Sequence, residues 1–394
     1  NTYIGIFIIM FSVISSGMVA VMTQNIGAGR PGVAYQARQL GLTFNAVLGI
    51  IVSLILTFGA GAILAGVGVA DALMQPARTY LQIVGGFCIL NALIPICSSY
   101  LRAFGFSKEP LYASIIGNVI NFCLNAFFLF VLHKGVAGVA TATVISRIIN
   151  LVIVVLLGAV LVKAKQHPER ESNRAVMGQI IRIGLPSACE TAIYNVSMTL
   201  VIRFLNQMDA QGLNVTARSY TMQITNFSYC VGAALAQANA IMTGWHIGAK
   251  EYDACDRGTK KAAVIGVIVA VILETVFTLC SGWIMQLFSK DPQMVSLVGK
   301  LLAIDIVLEI GRVTNLVYGQ ALKTSGDAVF PVVMGACFMI LCSVGGTYLF
   351  GIRLGLLAVG AYIGMTGDEC VRAVGMYLRW KSGKWKEKGL VKSR

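Results

Sequence analysis

The sequence predicts an all-α integral membrane protein with two parallel, pseudo-symmetric six-helix lobes, and three observations support that fold class. Hydrophobic residues make up 57% of the chain and charged residues only 12%, whereas soluble domains carry about 25% charged residues. The apolar residues form eleven long runs of roughly 20–28 residues, enough to cross a hydrocarbon core of about 30 Å at 1.5 Å per residue. The second half of the sequence repeats the first at an offset of about 221 residues.

Eleven membrane spans are predicted from the apolar runs, five in the first half and six in the second. They cover residues 3–23, 40–67, 78–101, 110–132, 136–162, 180–204, 219–243, 261–288, 294–320, 329–350 and 355–378. The mean hydropathy of +0.76 agrees with a chain that is solvated mainly by lipid.

The repeat is visible in short strings of sequence. LRAFG at 101–105, followed by Pro110, returns as LKTSG at 322–326, followed by Pro331, and IGA at 26–28 returns at 247–249. Duplicated helical membrane proteins usually form two bundles with a site between them, as secondary transporters do. Six helices return the chain to the side where it began, so both lobes share one orientation. We therefore expect alternating access of a cavity between parallel lobes.

Three segments are predicted along the chain. Residues 1–162 form the N-lobe, residues 163–177 a cytoplasmic linker, and residues 178–394 the C-lobe with a basic cytoplasmic tail. Moving the 180–204 span back by 221 places its counterpart before residue 1. We therefore expect the first lobe to be truncated to five helices and the intact protein to have twelve; a cleaved signal peptide is the alternative explanation for the missing initiator Met.

The charge distribution predicts the topology. The net charge is +14, but Lys and Arg are concentrated in every second loop and in the tail, which is the positive-inside pattern of a membrane protein and not a nucleic-acid-binding face. We expect a multi-pass protein of the plasma membrane with a cytoplasmic C-terminus. Trp380 and Trp385, among basic residues, are expected to anchor the tail at the lipid interface.

No motif indicates an enzyme. The glycines of 27–32 satisfy GxGxxG but follow a membrane helix, so a tight turn is the better interpretation than a dinucleotide site. No nucleophile–base or metal-ligand set is present, and the ten cysteines never form CxxC. We expect no cofactor other than a coupling ion.

Ionisable residues inside predicted spans are the informative ones, because each costs roughly 2.5–3.5 kcal/mol at a helix centre on insertion scales. Asp305, Glu309 and Arg312 are spaced i, i+4, i+7 and therefore share one helical face, and Asp368 and Arg372 are spaced i, i+4. One interpretation is structural: Glu309–Arg312 and Asp368–Arg372 are buried salt bridges that fix helix packing.

The other interpretation is a coupling site. Glu190, Asp305 and Glu369 lack an obvious basic partner nearby in sequence, and an incompletely paired carboxylate in a low dielectric can exchange a proton or accept Na⁺. We predict that Glu190 and the Asp305/Glu309 face line a shared cavity and carry the coupling ion, with Na⁺ at Glu190 and Asp305 as the metal hypothesis. Asn226 and Tyr229 are predicted to line the same cavity. Glu274 is a further candidate, and Arg147 is the clear ionisable residue of the first lobe.

Several strings resemble one family. YLRAFGFSKEPLYASIIGNVINFCLN, TQNIGAGRPGVAYQAR and RIGLPSACE are similar to segments of multidrug and toxic compound extrusion (MATE) transporters, as are EIGRVTNLVYGQALKTSGDAVFP and GDECVRAVGMYLRWKSGKWK. The last two resemble bacterial members. The resemblance implies helices 2–6 and 7–12 of a twelve-helix antiporter, with a cation site formed by acids of the seventh and tenth helices. Here Glu190 and the Asp305/Glu309 face occupy those helices; many bacterial members also use an aspartate of the first helix.

The predicted function is therefore a secondary antiporter that expels small organic cations or drugs in exchange for Na⁺ or H⁺. The alternative is a flippase for lipid-linked oligosaccharides from the same wider superfamily, which typically has two more helices and a strongly cationic cavity. We expect membrane lipid and small organic cations as partners, no nucleic acid, and a monomer.

Overall fold

The computed structural model describes residues 2–66, 71–163, 167–209 and 212–391, and these residues contain helices and no strand. The first half forms α1 (Thr2–Gly27), α2 (Pro31–Phe58), α3 (Ala60–Gly66), α4 (Asp71–Gly86), α5 (Ile89–Ala103), α6 (Lys108–Ala126) and α7 (Gly135–Leu161). Then follow α8 (Asn173–Met208), α9 (Leu213–Gly248), α10 (Tyr252–Leu279), α11 (Ser281–Met285), α12 (Pro292–Ser325), α13 (Val329–Phe338) and α14 (Leu357–Lys381). π-Helical turns extend α6 over Phe127–Val131 and α13 over Met339–Val344 and Thr347–Arg353, and a 3₁₀ turn covers Lys384–Glu387.

The all-α prediction is confirmed, and each predicted span coincides with a helical segment. The helix starts differ most where the first turns are polar. α2 begins at Pro31 instead of 40, and α10 begins at Tyr252 instead of 261. The predicted spans did not include these turns, because charged residues such as Arg38 and Lys260 lower their hydropathy. The helices nevertheless include them, since backbone hydrogen bonding continues past the apolar stretch.

The helices have the length and surface of a multi-pass membrane protein. Six described helices are long and apolar enough to cross a membrane, and the pair α4–α5, bent by 40°, makes a seventh if it counts as one span. Large apolar side chains such as Phe58, Phe122 and Leu279 point outward and are at least three-quarters exposed, which is a surface suited to lipid. The other long helices, α8, α9, α12 and α14, are less apolar because they carry buried polar residues.

The sequence repeat reappears in the helix boundaries. α2 and α10 begin and end 221 residues apart at both ends, and α4 and α12 also begin 221 residues apart. The π-helical turn Phe127–Val131 corresponds to residues 348–352, which lie within the π-helical segment Thr347–Arg353. The two halves therefore share one helical frame. They differ where α4 and α5 are separate helices and α12 is continuous.

The chain divides into two compact units, unit 1 (Asn1–Leu185) and unit 2 (Pro186–Arg394). The division falls inside α8, beyond the predicted linker at 163–177, and α8 already begins at Asn173. Linker residues 164–166 and tail residues 392–394 lie outside the described residues. The predicted lobe boundaries at 162 and 178 stay a prediction.

Unit 1 has an apolar core. Phe11, Val52, Leu56 and Val84 pack in one buried cluster. α1 and the start of α8 approach so closely that a Cβ on Gly17 would overlap the Ile180 carbonyl, and one on Gly184 would overlap the Val13 carbonyl. Small residues at helix contacts are the usual way to pack helices in lipid.

Polar contacts fasten the segment before α8 onto the start of α2. The Arg30 guanidinium pairs with the Glu171 carboxylate at 2.5 Å, and Gln36 exchanges hydrogen bonds with the Glu171 backbone and donates to Asn173. The turn at 27–32 is thus a helix–helix connection, as interpreted from sequence, and it is braced by the segment that precedes α8.

The tail folds onto unit 2, which makes the prediction of an interfacial tryptophan anchor wrong. Trp380 and Trp385 are both buried and stack with ring centroids 4.1 Å apart. The Trp380 indole N–H donates to the Asp256 carboxylate and the Trp385 indole N–H donates to the Trp380 carbonyl. Because both N–H groups are satisfied inside the protein, neither ring needs the polar lipid interface that otherwise attracts tryptophan.

Candidate functional site

The polar interior of unit 2 is built by five helices that each contribute one or more functional side chains. Glu190 lies on α8, Tyr229 on α9 and Glu274 on α10. α12 carries Asp305, Glu309 and Arg312 on one face, and α14 carries Asp368, Glu369 and Arg372.

Three buried carboxylates meet between α10 and α12. One carboxylate oxygen from each of Glu274, Asp305 and Glu309 lies within 4.8 Å of those of the other two, and none of the three residues is more than 2% exposed. Both oxygens of Glu274, one of Asp305 and one of Glu309 accept no hydrogen bond from the described residues. Buried polar atoms are nearly always hydrogen-bonded. These three carboxylates therefore form a buried acidic cluster that could hold a cation or a proton.

Two arginines form ion pairs with acids of α12 and α14. The Arg312 guanidinium pairs with the Glu309 carboxylate and lies 3.7 Å from a Glu369 oxygen. Arg372 donates to Asp368 at 2.8 and 3.1 Å and pairs with Glu369 at 2.9 Å. The Glu309–Arg312 and Asp368–Arg372 pairs expected from sequence are both present, and they connect α12 with α14 through Glu369.

Two of the three carboxylates predicted to lack a basic partner are in fact paired. The Glu190 carboxylate lies 2.6 Å from the Lys323 ammonium. Glu369 pairs with both arginines and accepts a hydrogen bond from Asn315. Lys323 lies on α12, far from Glu190 in sequence, so Glu190 lacks a local base as predicted but is paired through the fold. The prediction was wrong for Glu369, because Arg372 follows it at i, i+3, the same spacing as in the Glu309–Arg312 pair. Asp305 agrees with the prediction: it forms no ion pair among the described residues.

Two cavities adjoin in this interior instead of the single one predicted. The first, of about 270 Å³, is lined by Asp305, Asp368, Arg218, Asn226 and other residues. The second, of about 230 Å³, is lined by Glu190, Lys323 and Arg372 among others. Tyr194, Tyr229, Arg312 and Glu369 line both. Glu190 and Asp305 therefore line different cavities that share these four residues, and the buried Glu309 lines neither.

Asn226 and Tyr229 line the Asp305 cavity, as expected from sequence, and the Arg312 guanidinium lies 6.0 Å from the Tyr229 ring centroid. Glu274 was noted only as a further candidate, yet it completes the carboxylate group. The sequence does indicate that Glu274 is unusual, because it is a charged residue near the C-terminal end of the apolar helix α10. Arg218 was missed, because its position near the start of α9 gave no sign of burial.

Comparison with known proteins identifies the family. The family model described as MatE matches residues 1–127 and 186–349. The chain is 32% identical to the protein named uncharacterized transporter YisQ of Bacillus subtilis (strain 168), over 99% of this chain and 87% of YisQ. The chain belongs to the MatE family.

Solved structures share the fold of this MatE chain. A structure described as the outward-facing conformation of a multidrug resistance MATE family transporter superposes with a TM-score of 0.88 at 17% identity, covering 98% of this chain and 87% of that one. The MATE transporter ClbM, described as in complex with Rb⁺, superposes with a TM-score of 0.82 at 18% identity, covering 97% and 86%. Both structures are described as those of transporters.

Proposed function

We propose that the protein is a secondary active antiporter that expels small organic cations in exchange for Na⁺ or H⁺ by alternating access. The observation that carries the proposal is the group formed by Glu274, Asp305 and Glu309, in which four buried carboxylate oxygens accept no hydrogen bond from the described residues. Carboxylates this close repel one another, so they cannot all stay charged without a proton or a cation among them. An organic cation entering the cavity beside Asp305 would compete with that ion, and mutually exclusive occupancy gives antiport.

The spacing of the carboxylates suits a metal cation. Hard cations take oxygen ligands at about 2.3–2.6 Å, so ligand oxygens on opposite sides lie up to about 5 Å apart. One oxygen of each carboxylate lies within 4.8 Å of those of the other two, so a single cation could contact all three. The Rb⁺ complex of ClbM supports the binding of an alkali cation by a protein of this fold. We place Na⁺ at Asp305 in preference to Glu190, because the Lys323 ammonium already occupies the Glu190 carboxylate.

Glu190 enters the proposal in a second role. It lines the adjoining cavity together with Lys323, and a substrate ammonium would compete with Lys323 for the same carboxylate. Replacing Lys323 by Met removes that competitor, so cation binding should tighten severalfold, whereas Lys323→Arg should not change it. Equilibrium binding of radiolabelled tetraphenylphosphonium to the purified protein measures both. Unchanged affinity in Lys323→Met would limit Glu190 to helix packing.

Transport in liposomes tests the main proposal. Efflux of radiolabelled tetraphenylphosphonium is measured with a Na⁺ gradient and a proton gradient imposed separately, which also decides the coupling ion. Asp305→Asn and Glu274→Gln should abolish gradient-driven efflux. Asp253→Asn is the matched control, since Asp253 is an exposed acid on the same helix as Glu274. Full efflux by Asp305→Asn would refute the coupling role.

The alternative of a flippase for lipid-linked oligosaccharides is not favoured. The lining of the Asp305 cavity carries three acids and two arginines, whereas such a flippase is expected to have a strongly cationic cavity.

We also propose that the protein lies in the plasma membrane as a monomer surrounded by lipid, binds no nucleic acid, and keeps its C-terminus in the cytoplasm. A cysteine introduced at Glu387 should resist impermeant thiol reagents added outside intact cells; efficient labelling would reverse the orientation.

A further inference from the structure

Arg218 is a buried cation without a carboxylate partner. It is 6% exposed, its Nε has no hydrogen-bond partner, and its contact from Nη2 is with the Met198 sulfur at 3.7 Å. Among the described residues it forms no ion pair, whereas Arg312 and Arg372 each contact two carboxylates. A thioether is a weak acceptor, and an unpaired charge inside a membrane protein is costly. Such a residue needs either solvent or a ligand.

The guanidinium faces the Asp305 cavity. Arg218, Met222, Thr225 and Tyr229 line it from α9 at spacings of 4, 3 and 4 residues, which is one helical face. Arg218 and Tyr229 are separated by eleven residues, or about 16 Å along the helix at 1.5 Å per residue. The cavity is therefore elongated, with Arg218 near one end.

The same cavity holds an unpaired group of the opposite sign. Asp305 lines it from α12 and has an oxygen without a partner. Asp368 and Glu369 also line the cavity, but both are already ion-paired, Asp368 with Arg372 and Glu369 with Arg312 and Arg372. Among the described lining, the charged side chains that form no ion pair are thus one guanidinium, that of Arg218, and one carboxylate, that of Asp305.

We propose that Arg218 is an anion-recognition residue of this cavity, and that the preferred ligands carry a carboxylate as well as a cationic group. This inference rests on the proposed function and narrows its substrate class from organic cations to zwitterions. The ligand carboxylate pairs with the Arg218 guanidinium, whose planar donors match a carboxylate in a bidentate geometry. The ligand cation pairs with Asp305. A zwitterion satisfies both charges at once, whereas a simple cation leaves Arg218 unpaired.

Matched probes test the inference. 4-(Trimethylammonio)benzoate is a zwitterion with a fixed cationic group, and its methyl ester is a cation of nearly the same shape. Calorimetric titration of the purified full chain with each should show that the zwitterion binds about tenfold or more tightly, as expected for a hydrogen-bonded charge pair. Arg218→Gln should remove that preference while ester affinity stays within about twofold, because the lost interaction is specific to the carboxylate.

Two further variants separate recognition from folding. Arg218→Lys keeps the charge and should retain part of the preference, and Arg353→Gln removes an exposed arginine of the same unit and should retain all of it. Since the first comparison uses the unaltered protein, an unstable Arg218 variant leaves the inference testable.

Three results would overturn the inference. Equal binding of zwitterion and ester by the unaltered protein would mean that water satisfies Arg218. An equal loss of both probes in a folded Arg218→Gln protein would make the residue structural. Both results leave the cavity as a cation site. Binding of neither probe would overturn the inference and would also count against the proposed function.

Discussion

Units 1 and 2 share a helical frame but differ in what they bury. The described part of unit 1 buries no charged side chain, whereas unit 2 buries eight: Arg218, Glu274, Asp305, Glu309, Asp327, Asp368, Glu369 and Arg372. The positions 221 residues before Glu274, Asp305 and Glu309 hold Ser53, Val84 and Cys88. The same frame therefore forms without these charges. The acids of unit 2 are therefore not needed to form that frame, which supports the coupling role proposed for them.

The largest expected effect comes from breaking the arginine network of unit 2. Arg312→Met leaves the Glu309 carboxylate buried without its partner, which should lower the free energy of unfolding by about 3–5 kcal/mol. Thermal unfolding of the purified protein measures the loss. Adding Glu309→Gln should recover most of it, because the unpaired charge is then removed. A single variant as stable as the native protein would show that water reaches Glu309.

Placing the acid of unit 2 into unit 1 tests the comparison in the opposite direction. Val84→Asp introduces a charge into an apolar cluster at the position equivalent to Asp305. The cost should be about 2.5–3.5 kcal/mol, seen as reduced membrane yield and a lower unfolding temperature. Val84→Leu is the control for volume. An unchanged membrane yield and unfolding temperature in Val84→Asp would show that the interior of unit 1 accepts a buried charge as readily as that of unit 2.

Placing the apolar residue of unit 1 into unit 2 should separate stability from transport. Asp305→Val removes a carboxylate that lacks partners, so stability should rise by about 1–3 kcal/mol, the usual cost of an unsatisfied buried polar group. Gradient-driven efflux should disappear in the same variant. Thermal unfolding and liposome transport are measured side by side; a less stable protein would mean that Asp305 has a structural partner.

The smallest effect concerns the polar contacts of unit 1. The Arg30–Glu171 pair is about one-third exposed, so Arg30→Ala should cost only about 0.2–1 kcal/mol. Raising the salt concentration should shrink the difference between variant and native unfolding temperatures, because ions screen exposed pairs. A cost comparable to that of Arg312→Met would show that this connection organises the whole unit.

The sequence predicted the helices and the local ion pairs well because both depend on short-range periodicity. Glu309–Arg312 and Asp368–Arg372 lie within one turn of the same helix and were visible from spacing alone. The Glu190–Lys323 pair joins α8 to α12 over 133 residues, and no local pattern could indicate it. Glu274 is visible in the sequence as a charge in an apolar helix, but its position opposite Asp305 depends on how α10 packs on α12.

Trp385 has a consequence for the biosynthesis of this protein. Unit 2 cannot bury Trp380 fully until Trp385 has been synthesised and stacked on it. At translation rates of about 5–20 residues per second, the 209 residues of unit 2 take about 10–40 s to emerge. During that interval unit 1 has already been synthesised, while the Asp256 carboxylate still lacks the hydrogen bond from the Trp380 indole N–H. Ribosomes stalled before Trp385 would therefore hold a nascent chain in which unit 1 has been synthesised and the Trp380 ring of unit 2 is not yet covered by Trp385.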